Sequence, residues 1–364
     1  MNWLYIFLGF SLLIVLHEGG HFFAAKATGM RVERFFLFFG PTLWSFKRGE
    51  TEYGIKAIPL GGYVKITGMN PEEEVPPEHE ERAYYRQPVW KRIVVVAAGP
   101  AVNIVLAFAI LFFVYFVNAQ QVDQKVGEIR GGSPAAKVLQ PGDRILAVDG
   151  KSFAGLDQEA RLERFGEQVG SHECAGKQVD GCVAATPVAL EISRGGQTQT
   201  ILVKPEYDKA AKRALVGFSY GSKPEDISPG TAATRALDSI WLVTHKTASI
   251  FSRIFEEEQR KQISGIVGVS DVANQTIDVG IYPSLLLLAL VSLSLGLINL
   301  LPILPLDGGH IFWALVEKLR RGKPVPLRVM ERATVIGFAL VMVLMVIGLT
   351  NDIGRIGTDA YNVR

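Results

Sequence analysis

Four stretches of the chain are apolar enough and long enough to cross a bilayer as helices, which takes about 20 residues each. They are Trp3–Ala25, Ile93–Val117, Ile281–Leu301 and Ala333–Leu349, the last short at its strict limits and drawing on its flanks. Between the first two, Glu52–Ile66 shows short apolar alternation broken by Pro59 and Gly61-Gly62. This predicts a hairpin or a pair of strands lying against the membrane over 52–68. The acidic, proline-bearing run Pro71–Glu81 predicts a surface loop. Residues 121–206 read as a polar unit of mixed strand and helix. Its strands are Gly127–Ile129, Ile145–Val148, Val188–Ser193 and Thr200–Val203, with a short helix at Ser133–Val138 and a longer one at Gln158–Val169 that turns Leu162 and Phe165 inward. Pro141-Gly142-Asp143 and Asp149-Gly150 are turn signals. Residues 207–280 follow as a membrane-proximal region. In it Leu237, Ile240, Trp241, Thr244, Phe251, Ile254 and Phe255 recur at helical spacing, with Arg235, Asp238, Lys246 and Arg253 on other faces. Arg235–Phe255 therefore predicts an amphipathic helix that lies on a membrane surface, packs against the spans, or is an exposed helix with a core face.

Composition agrees with this picture. The chain has 364 residues, 48 % hydrophobic and 20 % charged, with a net charge of +2. Its mean hydropathy of +0.22 fits a membrane protein carrying one polar domain better than a soluble enzyme, with room for two or three units. The near-neutral balance gives no sign of nucleic-acid binding. Lys318, Arg320, Arg321, Lys323, Arg328 and Arg332 crowd the connection between the third and fourth stretches, against Glu317 and Glu331. The positive-inside rule puts that loop in the cytoplasm. Alternation puts the first-to-second loop there too, in keeping with Lys47, Arg48, Lys91 and Arg92, and leaves both termini and the polar unit outside. The two cysteines, Cys174 and Cys182, cannot build a structural zinc site alone. In an extracytoplasmic loop they are candidates for a disulfide, with two free thiols as the alternative.

The candidate chemistry sits at two places. The first stretch runs into His17-Glu18-Gly19-Gly20-His21. On a helix, positions i and i+4 share a face, so both imidazoles can reach one metal. Glu18 projects beside them, where a general base for water has to sit. A packed histidine pair is the competing reading, but ionisable groups at membrane depth are costly and usually face an internal cavity. A signal peptide fits poorly, since no basic n-region precedes the apolar run and no small-residue cleavage site ends it. Catalytic zinc normally takes three protein ligands. The second place, Asn299 to His310, is broken by Pro302 and Pro305 and then offers Asp307. Irregular backbone near bilayer depth is tolerated only where it lines a cavity. Asp307 is thus the third-ligand candidate, with His310 in competition and a loop aspartate outside the membrane as the plain alternative. Asn103, in Gly99-Pro100-Ala101-Val102-Asn103, must find a hydrogen-bond partner, either as helix–helix contact or in a site. Glycine in a helix costs about 1 kcal/mol against alanine, so Gly19 and Gly20 predict close approach by a neighbouring backbone or by substrate.

Taken together, HEGGH in the first span, GPAVN in the second, the polar insert and NLLPILPLDGGH at the third resemble the site-2 protease family of intramembrane zinc metalloproteases. The nearest branch is the bacterial regulator-of-sigma-E protease type, and the resemblance covers nearly the whole chain. It implies a three-span catalytic core, one Zn2+ per chain on His17, His21 and Asp307, and Glu18 as catalytic base. Asn299 and Asn103 match positions that the family uses near the substrate. Tyr63, Val64, Lys65 and Ile66 fall in strands that could hold an unwound substrate extended by strand addition. The order and turns of 121–206 resemble a PDZ domain of the protease-associated kind, against a generic small α/β domain, and such domains bind peptide C-termini. Ile263–Ser270 resembles the family's G-P-x-G-I element, with Ile266 where proline is usual. One PDZ-like domain fits here, whereas many enteric relatives carry two, so a gating scheme built on a tandem pair does not transfer. The implied substrates are single-pass membrane proteins already trimmed outside, such as anti-sigma factors in a stress response or signal-peptide remnants, in the bacterial inner membrane.

The expected fold is a polytopic α-helical membrane protein of four transmembrane helices with a three-helix catalytic core, a membrane-associated β-hairpin or sheet, and an inserted α/β PDZ-like domain. Its segments are 1–118, 121–206, 207–280 and 281–364. Two other functions compete: a non-catalytic PDZ scaffold binding exposed C-termini, and a metal transporter. A scaffold has no need of Glu18, and a transporter would spread acids and histidines over several spans.

Overall fold

The structure, a computed structural model, describes residues 2–70, 73–156, 158–209, 211, 213–253, 256, 260 and 263–355. The chain divides into two compact units, Met1–Val117 with Ser228–Arg364, and Asn118–Ile227. The first unit opens with α1 (Asn2–Ala27), β1 (Val32–Arg48), β2 (Thr51–Ile66) and α2 (Val89–Val117). The second holds β3 (Gln120–Ile129), β4 (Arg144–Val148), β5 (Lys151–Ser152), α3 (Gln158–Gly170), β6 (Val188–Arg194), β7 (Gln197–Val203), β8 (Glu206–Asp208), β9 (Arg213–Leu215) and β10 (Phe218–Pro224). The first unit resumes with α4 (Pro229–Ser252), α5 (Ile266–Val279), α6 (Ile281–Asn299), α7 (Asp307–Leu319) and α8 (Leu327–Arg355).

Among the described residues α1, α2, α6 and α8 are the four helices long and apolar enough to cross a membrane. Their ends differ from those read from hydropathy. α2 starts at Val89 and α8 runs from Leu327 to Arg355, because Lys91, Arg92, Arg328 and Arg332 are good helix formers that an apolar window excludes. α6 ends at Asn299 rather than Leu301, since Pro302 disfavours helical backbone just before it. Small residues let these helices touch. A Cβ on Gly20 would lie 2.5 Å from the Ala98 carbonyl oxygen, and one on Gly296 would lie 3.0 Å from that of Pro100. Such contacts bring α1 and α6 against α2 by backbone approach, the way helices associate where lipid removes the hydrophobic incentive. Ala107 and Leu111 of α2 meet Ala289 and Leu293 of α6 and Ala236 of α4 in one buried cluster. The amphipathic helix expected at Arg235–Phe255 is α4, packed against the spans. Its inward face is Ala232, Ala236 and Ile240, while Leu237 and Trp241 are exposed, and Ile254 and Phe255 lie outside the described residues. Pro71 and Glu72 of the acidic loop also lie outside them.

No hairpin forms within Glu52–Ile66. That stretch is the strand β2, whose two ends pair with opposite sides of β1, an apolar run with no period of two. The two strands fold back so that Arg34, Phe35, Phe36 and Leu37 each have a neighbour on both sides. Lys65, Val64, Tyr63 and Gly62 lie on one side, and Glu52, Tyr53, Gly54 and Ile55 on the other. Thr42–Arg48 pairs with Thr51–Lys56 beyond them. Four segments therefore lie abreast, with Gly62–Ile66 along one outer edge. The bend in β1 uses Phe38 at φ 69° and Gly40 at φ 86°. Glu50 at the turn takes Arg82 and Lys26, and the Arg82 hydrogen bonds hold its carboxyl down at about 2.

Asp352 of α8 is fully buried. Its carboxylate accepts from the Ser264 hydroxyl and from the backbone N–H groups of Gly265 and Gly268. An acid from another helix thereby satisfies the open donors at the N-terminus of α5.

In the second unit the sheet order is β10-β3-β4-β6-β7, with β5 on β4, and β8-β9 form a separate pair. Val188, Leu190 and Ile192 alternate into a core with Val126, Ile145, Val148 and Val203. β10 extends the sheet beyond the expected 121–206 bounds; its polar Ser219, Ser222 and Lys223 hid it in the sequence. The expected short helix is a single 3₁₀ turn, Pro134–Lys137. Of the inward pair on α3, Phe165 packs on the core but Leu162 is exposed. Asp143, in the predicted turn, accepts two hydrogen bonds from Arg194 and one from the Gln140 backbone. Cys174 and Cys182 are joined in a disulfide, with Cα atoms 6.1 Å apart.

Candidate metal centre

The first turn-and-a-half of chemistry lies on α1, where nothing interrupts the helix from Asn2 to Ala27 and His17 and His21 fall one above the other. His21 Nδ1–H donates to the Val95 carbonyl of α2 at 2.9 Å. A carbonyl can only accept, so this bond fixes the tautomer and leaves Nε2 with its lone pair. Gly99, one turn further along α2, makes room for the ring: a Cβ there would lie 2.3 Å from His21 Nε2. The second element is α7. Asp307 is its first residue, and Gly308 and Gly309 let its N-terminus settle on the backbone of Leu300–Leu304, where any Cβ would fall within 2.5 Å of a main-chain atom.

These elements bring three donor atoms to one point. His17 Nε2 and His21 Nε2 are 3.3 Å apart, and Asp307 Oδ2 is 3.2 Å from the first and 3.4 Å from the second. A tetrahedral zinc with ligands at about 2.0–2.1 Å separates neighbouring donors by about 3.3 Å. Asp307 Oδ2 is buried and has no hydrogen-bond partner. An orphaned anion facing the His21 Nε2 lone pair and the His17 Nε2 is satisfied by a cation, so the donor set fits zinc. Among the described residues this trio is the one group of histidine, cysteine or carboxylate side chains converging closely enough to hold a metal.

The trio borders a cavity of about 230 Å3 that is also lined by Glu18, Gly62, Tyr63, Val64, Ile66, Met69, Val95, Val96, Asn299 and Pro305. Glu18 lines the cavity beside Val64, and a Cβ on Gly62 would meet its Cγ at 2.9 Å. The free edge of the sheet thus runs past the carboxylate. Asn299 Nδ2 donates to Leu295 O at 3.1 Å within its own helix. Two expected site residues lie elsewhere. Lys65 points to the opposite side of its strand and pairs with Glu33 at 2.8 Å and Glu73 at 2.6 Å, bonds that raise its ammonium above the usual range. Asn103 is wholly buried, its side-chain amide has no hydrogen-bond partner, and its backbone carbonyl accepts from Ser292 of α6 at 2.9 Å. The competing ligand His310 is not among the three converging donors and lines a neighbouring cavity with Tyr84, Arg92 and Glu317. Of the two motif glycines, Gly20 admits the α2 backbone, while Gly19 meets only Phe23 of its own helix. Val95 was not legible from sequence because it acts through a carbonyl that every residue carries.

Two comparisons bear on this geometry. Residues 5–344 match the model of peptidase family M50. Zinc metalloprotease Rip1 of Mycobacterium tuberculosis is 32 % identical over 388 residues, covering 95 % of each chain. The Rip1 of Mycolicibacterium smegmatis is 32 % identical over 402 residues, covering 93 % of this chain and 94 % of its own.

Proposed function

The chain belongs to peptidase family M50 and is a zinc metalloprotease with four apolar helices, and we propose that it hydrolyses peptide bonds within the membrane-spanning segments of single-pass proteins. The observation that carries this reading is the triangle of His17, His21 and Asp307 edging one cavity with Glu18. When bound, Zn2+ supplies a Lewis acid and lowers the pKa of water to about 7. His17, His21 and Asp307 hold it. Glu18 takes the proton of the attacking water and hands it to the leaving amine. Asn299, at the cavity wall, hydrogen-bonds the substrate backbone. A helical substrate hides its carbonyls in internal hydrogen bonds, so it must unwind locally. The outer edge Gly62–Ile66 takes the unwound stretch as an added strand. Tyr63, Val64 and Ile66 line its path, Lys65 braces the edge from behind, and Asn103 serves the α2–α6 contact.

The remaining features follow the same reading. The 118–227 unit is a PDZ-like domain that, with α4, admits only substrates already trimmed outside, such as anti-sigma factors or signal-peptide remnants. The basic loop between α7 and α8 supports an orientation with that loop and the β1–β2 sheet in the cytoplasm and both termini outside, in a bacterial inner membrane. The test is metal content. Purified protein carries one Zn2+ per chain, and Asp307→Ala drops zinc affinity by at least about tenfold together with proteolysis; a full zinc complement in Asp307→Ala contradicts the ligand set.

A further inference from the structure

We propose that Arg92 and Glu317 are positioning residues that hold the two halves of the metal site at ligand distance. The inference rests on the ligand assignment above and adds what keeps those ligands together. His21 and Asp307 sit on helices far apart in sequence, and nothing covalent sets their spacing. Three residues of α2 at i, i+3 and i+7 share one face. Gly99 accommodates the His21 ring, Val95 accepts from His21 Nδ1, and Arg92 reaches Glu317 of α7. One stripe on α2 therefore touches both α1 and α7. The Arg92–Glu317 contact is a two-bond fork, Nη1 to Oε2 at 3.0 Å and Nη2 to Oε1, with the side chains 11 % and 18 % exposed. The guanidinium also lies 5.8 Å from the centre of the buried Tyr84 ring. Planar, bidentate pairing fixes direction as well as distance, which a lysine cannot do.

The leverage comes from the length of α7. Glu317 is ten residues beyond Asp307, about 15 Å along the helix. Gly308 and Gly309 pin the near end of α7 to the backbone of Leu300–Leu304. The far half presents Phe312, Leu315 and Leu319 outward, each 44 % or more exposed. Glu317 is the polar anchor of that half. With it released, α7 pivots about its glycines and Asp307 Oδ2 leaves the 3.2–3.4 Å spacing.

The experiment is zinc loss from purified full-length protein in detergent under a chelator, with helical content followed in parallel. In Glu317→Gln, zinc leaves about tenfold faster at unchanged helical content, the size typical of losing a supporting contact around a metal site. The exchange of both residues, Arg92→Glu with Glu317→Arg, returns the rate to within about threefold of wild type, a rescue expected only if the pair acts through its mutual bonds. If Glu317→Gln does not fold, Arg92→Lys keeps the charge and loses the fork, and it shows the same acceleration to a smaller degree. Zinc retention like wild type in a folded Glu317→Gln or Arg92→Lys overturns the proposal. A failure of the ligand assignment looks different: Asp307→Ala would then retain zinc, whatever the Glu317 variants do.

Discussion

At the scale of single residues, the site depends on what is missing as much as on what is present. His17, Glu18 and His21 were legible because metal binding on a helix needs side chains at i and i+4, and Asp307 because a proline-broken, polar end to an apolar span needs a reason. Gly99 was legible only as part of a motif. Its role, giving up a side chain so that the His21 imidazole can sit against α2, needs the partner helix in place. Gly99→Ala is therefore expected to displace the ring from Val95 and the metal. Zinc content per chain after chelator dialysis falls by about tenfold or more, in the range seen when a contact that orients a metal-binding histidine is lost. Retention of zinc and activity in that variant would show the ring has other room.

At the scale of elements, helices were easier to read than strands. Each apolar helix satisfies its own backbone, so twenty residues of hydrophobic sequence suffice to announce it. β2 needs β1, and β1 carries Phe35, Phe36, Leu37, Phe38 and Phe39 in a row, a run with no period of two. Its alternation is broken because it bends at Phe38 and Gly40 and is paired on both sides. The same pairing leaves Gly62–Ile66 as an outer edge beside Glu18. If that edge receives substrate by main-chain hydrogen bonds, proline placed through Tyr63–Ile66 removes donors and cuts cleavage of a helical substrate while zinc content stays near one per chain. Undiminished cleavage across the proline series would rule out strand addition here.

At the scale of the molecule, the two units have separate cores, and the residues proposed for the site all belong to the unit that carries the four apolar helices. In the other unit β10 returns to pair with β3 after a sequence gap that no local pattern spans, so the sheet runs on past residue 206. If this unit acts as a size filter, replacing residues 119–226 by a short flexible linker lets an untrimmed single-pass substrate be cleaved about as fast as a trimmed one, followed by gel assay in membranes. Continued rejection of the untrimmed form would assign selectivity elsewhere. The central claim is that a split site inside the membrane unit performs peptide hydrolysis with Glu18 as base. It is tested most directly by purified protein and a model transmembrane substrate. The wild type, with one zinc per chain, cleaves it, and Glu18→Gln keeps the zinc but loses about 10²–10⁴-fold in rate; zinc-loaded Glu18→Gln that cleaves at the wild-type rate would contradict the account.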